Sequence, residues 1–285
     1  MNKIWTIGAL LQWTQQYFAG KGIDSPRLDA EILLAHVLHK ERIYLYAHYD
    51  EPMNGEELAA YRAMVKQRAD RLPVAHILGT KAFMGLDFKV SEDVLIPRPE
   101  TEMLVETVVA AAEGTAPAII DIGTGSGAII LSLLHYLPQA TGKGVDISPK
   151  ALAIAAENGR TLGLDGRVTW IESDLFTKVP QGACDWLVSN PPYLTKGDME
   201  HLQPEVRHDP ALALYGGDDG LEFYRRIAAE SPSYVKAGGH CAVEIGAGQA
   251  DAVTAVFCRH GAYDHEQTVK DYGGIDRVLV FSRKE

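Results

Sequence analysis

A chain of 285 residues with 46% hydrophobic and 23% charged side chains can bury a core, and suits one large domain or a medium domain with a small companion. Its net charge of −11 is uneven: residues 1–90 carry 11 Lys/Arg and 10 Asp/Glu, whereas residues 91–285 carry 16 and 28, a balance of −12. So acidic a remainder argues against tight binding along a phosphate backbone, which needs a basic footprint, and there is no run of 18 apolar residues to cross a bilayer.

Lys3 is followed by Trp5, Gln12, Gln15 and Gln16, which is not a signal-peptide core. Cys184, Cys241 and Cys258 are odd in number and lack Cys-x-x-Cys spacing, so they read as buried thiols in a reducing compartment, the cytoplasm. Along the chain, Leu10, Leu11, Trp13, Tyr17 and Phe18 have helical spacing. Ser25-Pro26 reads as an N-cap with proline at the first helical position, opening a helix that should present Leu28, Ile32, Leu33, Val37 and Leu38 on one face. His36 and His39 lie on it without the further ligands that a metal site needs. Asn54 and Glu57 form a capping-box pattern ahead of Leu58, Tyr61, Met64 and Val65. A small all-helical bundle over residues 1–75 is expected.

Residues 76–97 read as a hairpin linker turning at Gly85-Leu86. In Val94-Leu95-Ile96-Pro97-Arg98-Pro99-Glu100-Thr101-Glu102 two prolines flank an arginine, and a helix begins at Thr101 with Glu102 and Glu106 in its first turns. Such a segment suits a rigid connector or the lining of a site. From residue 98 to 285 the pattern is that of a Rossmann-like α/β domain.

Four strand ends carry the chemistry. The strand Ala118–Gly123 opens into Gly123-Thr124-Gly125-Ser126-Gly127-Ala128 and a helix from Ile129 to Leu137. Glycines let the backbone approach a ligand closely, and the helix start presents free N–H groups. The next strand ends at Asp146, 19 residues past Gly127, where a carboxylate suits a ribose. Gly123, Gly125 and Ala128 also satisfy the dinucleotide pattern, so the loop alone does not separate nucleoside cofactors. A third strand, from Val168, ends at Asp174-Leu175: an acid for an adenine amino group and an apolar cover for the ring. The fourth, Asp185–Ser189, delivers Asn190-Pro191-Pro192-Tyr193 to the same edge, where ligands of open α/β sheets bind.

The two prolines end the strand's ladder and stiffen the turn. Amide and adenine amino nitrogens are poor nucleophiles because their lone pairs are delocalised, as the peptide bond's rotation barrier of about 18–20 kcal/mol shows. A site that accepts both N–H hydrogens can aim such a nitrogen at an electrophile. Asn190 Oδ1 and the Pro191 carbonyl are the expected acceptors, with Tyr193 packed on the flat group; the bland alternative is a Pro-Pro turn. A turn-rich stretch follows over 203–224. Helices at 221–235 and 248–260 and strands at 239–246, 263–271 and 276–283, with Gly273-Gly274 joining the last two, bring the sheet to seven strands.

This ordered set resembles the class I S-adenosylmethionine-dependent methyltransferases that methylate planar nitrogens. Phe83-Met84-Gly85-Leu86, Leu95 to Glu102, Asn190 to Tyr193, Ala213-Leu214-Tyr215-Gly216-Gly217, Asp219-Gly220-Leu221 and Glu244-Ile245-Gly246 narrow it: they resemble the PrmC/HemK family of peptide-chain release factor glutamine methyltransferases over nearly the whole chain. The resemblance implies the cofactor S-adenosyl-L-methionine, held by Gly123, Thr124, Gly125, Ser126, Gly127, Asp146, Asp174, Leu175 and Asn190. It also implies a substrate, the glutamine of the Gly-Gly-Gln loop of release factors, bound by Asn190, Pro191, Pro192 and Tyr193, with the N-terminal bundle helping to hold the release factor. No metal, membrane or direct nucleic-acid requirement is implied, and a monomer is expected. His208-Asp209-Pro210 departs from the family, in which Glu is expected before the proline. The rival readings are an N6-adenine nucleic-acid methyltransferase, disfavoured by the charge balance, a non-catalytic cofactor-binding protein, and a nicotinamide-dependent dehydrogenase.

Overall fold

The computed structural model describes residues 4–259 and 261–285, so the expected end of the last helix at His260 lies outside the described residues. Backbone contacts divide the chain into two units: residues 1–79 with 204–208, and residues 80–203 with 209–285.

The first unit is helical: α1 (Ile7–Gly20), α2 (Pro26–Leu38), α3 (Arg42–Ala47), α4 (Gly55–Ala69) and α5 (Val74–Leu78). Thr6 caps α1 through Ala9 N–H, and the Asn54/Glu57 capping box opens α4 as the pattern predicts. Pro26 starts α2, but the Ser25 side chain makes no cap bond. The buried face of α2 also differs from expectation. Leu28 is exposed, while Asp29 and Glu31 are buried beside Ala30, Leu33 and Leu34. Partners make this tolerable. Glu31 accepts from Arg27, from Arg42 at 2.7 Å and from Tyr46 at 2.6 Å. Asp29 accepts from Arg68 at 2.7 Å. Arg68 and Arg71 each donate at 2.9 Å to Glu205, in the short segment that clusters with this unit. Trp13, one of the helically spaced apolar residues, is exposed and stacks on Tyr17 with ring centres 5.1 Å apart.

The second unit opens with a hairpin, β1 (Thr80–Phe83) and β2 (Leu86–Lys89). Its turn residues are Met84 and Gly85, at φ 50° and 69°, one position earlier than the sequence suggested. Nor is the hairpin a free connector. Phe83 and Phe88 enter the main core, Glu102 accepts from Met84 N–H at 2.7 Å, Tyr136 donates to Met84 O at 2.8 Å, and Asn158 pairs with both backbone groups of Lys89.

There follow α6 (Glu102–Ala112), β3 (Ala118–Ile122), α7 (Ala128–Tyr136), β4 (Thr141–Asp146), α8 (Pro149–Thr161), β5 (Val168–Glu172), β6 (Cys184–Ser189), α9 (Lys196–Glu200), α10 (Glu222–Glu230), β7 (Val235–Glu244), α11 (Ala250–Cys258), β8 (Tyr263–Lys270) and β9 (Asp276–Arg283). The seven-stranded sheet has the order β5-β4-β3-β6-β7-β9-β8, parallel except for β9, which runs against both neighbours. This is the seven-stranded Rossmann-like sheet that the strand pattern implied. Helices α6 and α7 supply one buried face and α10 and α11 the other. α10 is shorter than expected because Pro232 follows in a 3-10 turn, which lets β7 begin at Val235. Cys184 and Cys241 are buried and free, whereas Cys258 is partly exposed. The chain runs outward from β3 through β4 to β5, then returns to β6 on the other side of β3. The strand order therefore reverses between β3 and β6, the position at which such sheets open a crevice.

Candidate active site

A cavity of about 410 Å³ lies at that reversal, within the second unit. Its size is in the range of small-molecule sites. Gly123, Gly125, Asp146, Asp174, Leu175, Asn190, Pro191 and Pro192 line it, so all four strand ends singled out by sequence meet there.

The glycine loop is tied down from behind. Gly123 and Thr124 N–H donate to Val145 O at 2.9 Å each. Thr124 turns its hydroxyl to Asp121, 2.6 Å away, and the Ser126 carbonyl accepts from Asn158. Gly127, at φ 80°, is hemmed in by Leu131, Ala155 and Trp170. Thr124, Ser126 and Gly127 are thus not on the cavity wall, although they were expected to touch the cofactor. They shape the loop. Gly123 and Gly125, at φ 74° and 54°, line the cavity, and a Cβ on either would meet nothing within 4 Å. That open backbone cradle is what a close-lying ligand requires.

Asp146 ends β4. Its Oδ2 accepts from Gly125 N–H at 2.8 Å and its Oδ1 from Ser148 N–H at 2.9 Å. Burial raises its pKa, and the backbone donors oppose the shift. Each oxygen keeps lone-pair capacity for a ligand hydroxyl. Ser148 also caps α8.

Asp174 is half exposed and accepts from Arg226 of α10 at 2.8 Å. Leu175 is buried with φ 46°, a left-handed conformation rare for a branched side chain. Phe223, with Arg226 over its ring at 6.0 Å, and Ile147 complete an apolar slot that sequence reading missed. Only the fold brings α10 to this edge. Val94, Leu95 and Leu212 also contribute, so the proline-rich segment does line the site at its start.

Asn190 follows the last residue of β6, whose Ser189 hydroxyl donates to Ile122 O at 2.7 Å, tying the two central strand ends together. The Asn190 Nδ2 donates to Thr101 Oγ1 at 3.1 Å. Tyr193 is not on the cavity wall. Its carbonyl accepts from Gln249, its ring lies against Gly246, and burial pushes its hydroxyl pKa up to about 12. It anchors the loop where a stacking platform was expected. The chain beyond returns to support the loop: Gly216 N–H donates to Leu194 O at 2.8 Å, and a Cβ on Gly216 would lie 2.5 Å from Pro192 O. Asp209, the departure from the family pattern, is buried and accepts from Arg98 at 2.5 Å.

The model of the PrmC N-terminal domain matches residues 9–79 and that of the methyltransferase small domain residues 99–206. A release factor glutamine methyltransferase of Geobacter sulfurreducens is 47% identical, covering 97% of this chain and 96% of its own. That of Agrobacterium fabrum is 42% identical, covering 98% of each. Among solved structures, a methyltransferase from Pyrococcus furiosus superposes with a TM-score of 0.56 at 17% identity, covering 72% of this chain and 92% of its own, a likeness of fold alone.

Proposed function

This chain belongs to the release factor glutamine methyltransferase family, and from that premise we propose how it methylates the Gly-Gly-Gln glutamine of release factors. The cofactor is S-adenosyl-L-methionine, which supplies an electrophilic methyl group when bound. The residues fit it. The Gly123–Gly125 cradle leaves room for a close-packed chain, Asp146 retains acceptor capacity for two hydroxyls, and Phe223, Ile147 and Leu175 form a slot for a flat ring. Asp174 is shared with Arg226, so its acceptance from an adenine amino group uses the oxygen that Arg226 leaves open.

The substrate amide enters beside Asn190 and Pro192. Asn190 Oδ1 and the Pro191 carbonyl accept its two hydrogens and hold the nitrogen in one orientation, which supplies much of the acceleration. Tyr193 keeps the loop from yielding. A nitrogen that has gained a fourth bond sheds its proton readily, so no strongly basic side chain is called for. The observation that carries this reading is that Asn190-Pro191-Pro192 and the Gly123–Gly125 cradle line one cavity.

The charge balance of −12 over residues 91–285 supports a protein substrate over a nucleic acid. Among the described residues no helix is long and apolar enough to cross a membrane. We further propose action as a cytoplasmic monomer, with the N-terminal helical unit docking the release factor. Incubation with a purified release factor and labelled cofactor, followed by mass mapping, tests the function. One methyl group on the Gly-Gly-Gln glutamine is expected. Transfer to DNA or RNA instead, or no transfer to the release factor, overturns it.

A further inference from the structure

The Asn190 carboxamide is held from outside its own loop. Its Nδ2 donates to Thr101 Oγ1 at 3.1 Å. Thr101 is buried where a 3-10 turn, Pro99–Thr101, runs into α6. Close by is Glu244, the last residue of β7, only 2% exposed. The strand register puts it there: Ser189 of β6 faces Val243 of β7, so Asn190 and Glu244 leave the sheet side by side. Burial raises its carboxyl pKa to about 7, and hydrogen bonding by Thr101 and Asn190 opposes that shift. Its Oε2 has no hydrogen-bond partner among the described residues.

A carboxamide has two ends of similar shape and opposite polarity. Rotated half a turn, Asn190 would offer N–H groups to an incoming amino group, donor against donor. Above about pH 7 Glu244 is a carboxylate, which only accepts, and a hydroxyl carries one hydrogen. Thr101 Oγ1 accepts from Asn190 Nδ2, so its own hydrogen is free to point to Glu244, which leaves only lone pairs towards Asn190. Nδ2 must then face Thr101, and Oδ1 is left for the substrate. We infer that Thr101 and Glu244 are positioning residues that set the polarity of the Asn190 carboxamide. The kinetic consequence rests on the proposed methyl transfer; the structural one does not.

The test compares T101V, T101S and E244Q. Valine keeps the shape of threonine and removes the hydroxyl, whereas serine keeps the hydroxyl and gives up the methyl packing. Loss of one directing hydrogen bond should lower kcat on release factor about 10-fold in T101V, and by a similar factor in E244Q. The cofactor KM should stay within about 2-fold, and T101S should recover to within about 3-fold of wild type. Independently of activity, NMR of the cofactor-free protein should show the Asn190 Nδ2 hydrogens exchanging about 10-fold faster in T101V than in wild type. Wild-type turnover tests the proposed function, and the variant ratios and the exchange rates test this inference. T101V with unchanged kcat and unchanged exchange overturns it. So does T101S as slow as T101V, which would make the effect one of packing.

Discussion

Arg98 Nη2 donates to Asp209 Oδ2 at 2.5 Å, and the two residues are unequal partners: the Asp209 side chain is 1% exposed and that of Arg98 34%. Asp209 Oδ1 also accepts from Ile96 N–H at 3.4 Å, so one carboxylate pins both ends of the Ile96-Pro97-Arg98 segment. The inequality fixes the order of two mutational costs. Arg98→Ala takes a charged donor from a buried carboxylate and should cost about 3 kcal/mol. Asp209→Asn leaves the arginine within reach of water and should cost about 1 kcal/mol. Denaturant midpoints check the order, and the two variants being equal would count against it.

Asn190→Ala should lower kcat by about 10²–10³, by analogy with removal of one preorganised polar partner. Cofactor affinity should change far less, because the other cradle residues are untouched. Steady-state kinetics on intact release factor, with calorimetry for the cofactor, separates the two quantities. Unchanged turnover would remove Asn190 from the mechanism.

Asp146→Ala should act in the opposite way. It removes a charged acceptor from the cavity wall and also the anchor of Gly125 N–H. Cofactor affinity should fall about 10- to 100-fold, the worth of one or two hydrogen bonds to a charged group. Calorimetry giving wild-type affinity would refute the ribose assignment.

Two buried carboxyls should leave a mark on stability. Burial pushes Glu244 from an ordinary 4.5, and Asp121 from an ordinary 3.8, up to about 7. Around Glu244, Thr101, Arg277 and Asn190 oppose the shift and Glu100 adds to it. Around Asp121, Thr124 opposes it and Asp146 adds to it. In both cases the folded state binds its proton more tightly than the unfolded chain. These groups therefore cost nothing below the unfolded value, and stability falls as pH rises towards about 7. Glu244→Gln, which cannot ionise, should gain on wild type across that window, by up to about 3 kcal/mol. Thermal or urea unfolding of both proteins between pH 4.5 and 8, the lower limit being the ordinary value for Glu244, measures the difference. A gap that does not vary with pH would contradict the shift.

Gly216→Ala probes the support of the substrate loop. The added methyl would meet the Pro192 carbonyl at 2.5 Å and the Tyr193 Cα at 2.7 Å, both of them backbone, so the loop must move. A misplacement of about 1 Å is enough to cost about 10²-fold in turnover. Cofactor affinity should be retained. Parallel kinetics and calorimetry decide, and full activity would show that the loop has slack.

Much of the site was legible because its residues end strands. Asp146, Asp174 and Asn190 follow recognisable apolar runs, and a parallel sheet brings such ends to one edge. Where reading failed, the cause was usually contact rather than pattern. Nothing local marks Thr124 as turned towards Asp121, or Tyr193 as an anchor beside Gly246. Phe223 and Arg226 reach the cavity only because α10 packs over that edge. Glu244 belongs to a recognisable Glu-Ile-Gly motif, but its place beside Asn190 emerges only from the register of β6 and β7. The burial of Asp29 and Glu31 on α2 was equally hidden, since apart from Arg27 on the same helix their partners, Arg42, Tyr46 and Arg68, lie further along the chain.

The residues 215–220 that come back beneath Pro192 and Tyr193 bear on protein engineering. Gly216 and Gly220 leave no room for a side chain against that backbone, and Gln249 grips the Tyr193 carbonyl from α11's approach. Grafting the four letters Asn-Pro-Pro-Tyr alone onto another methyltransferase should therefore yield a floppy imitation. A working transplant has to carry the returning segment with its two glycines, and the threonine at the head of α6, as a single cassette.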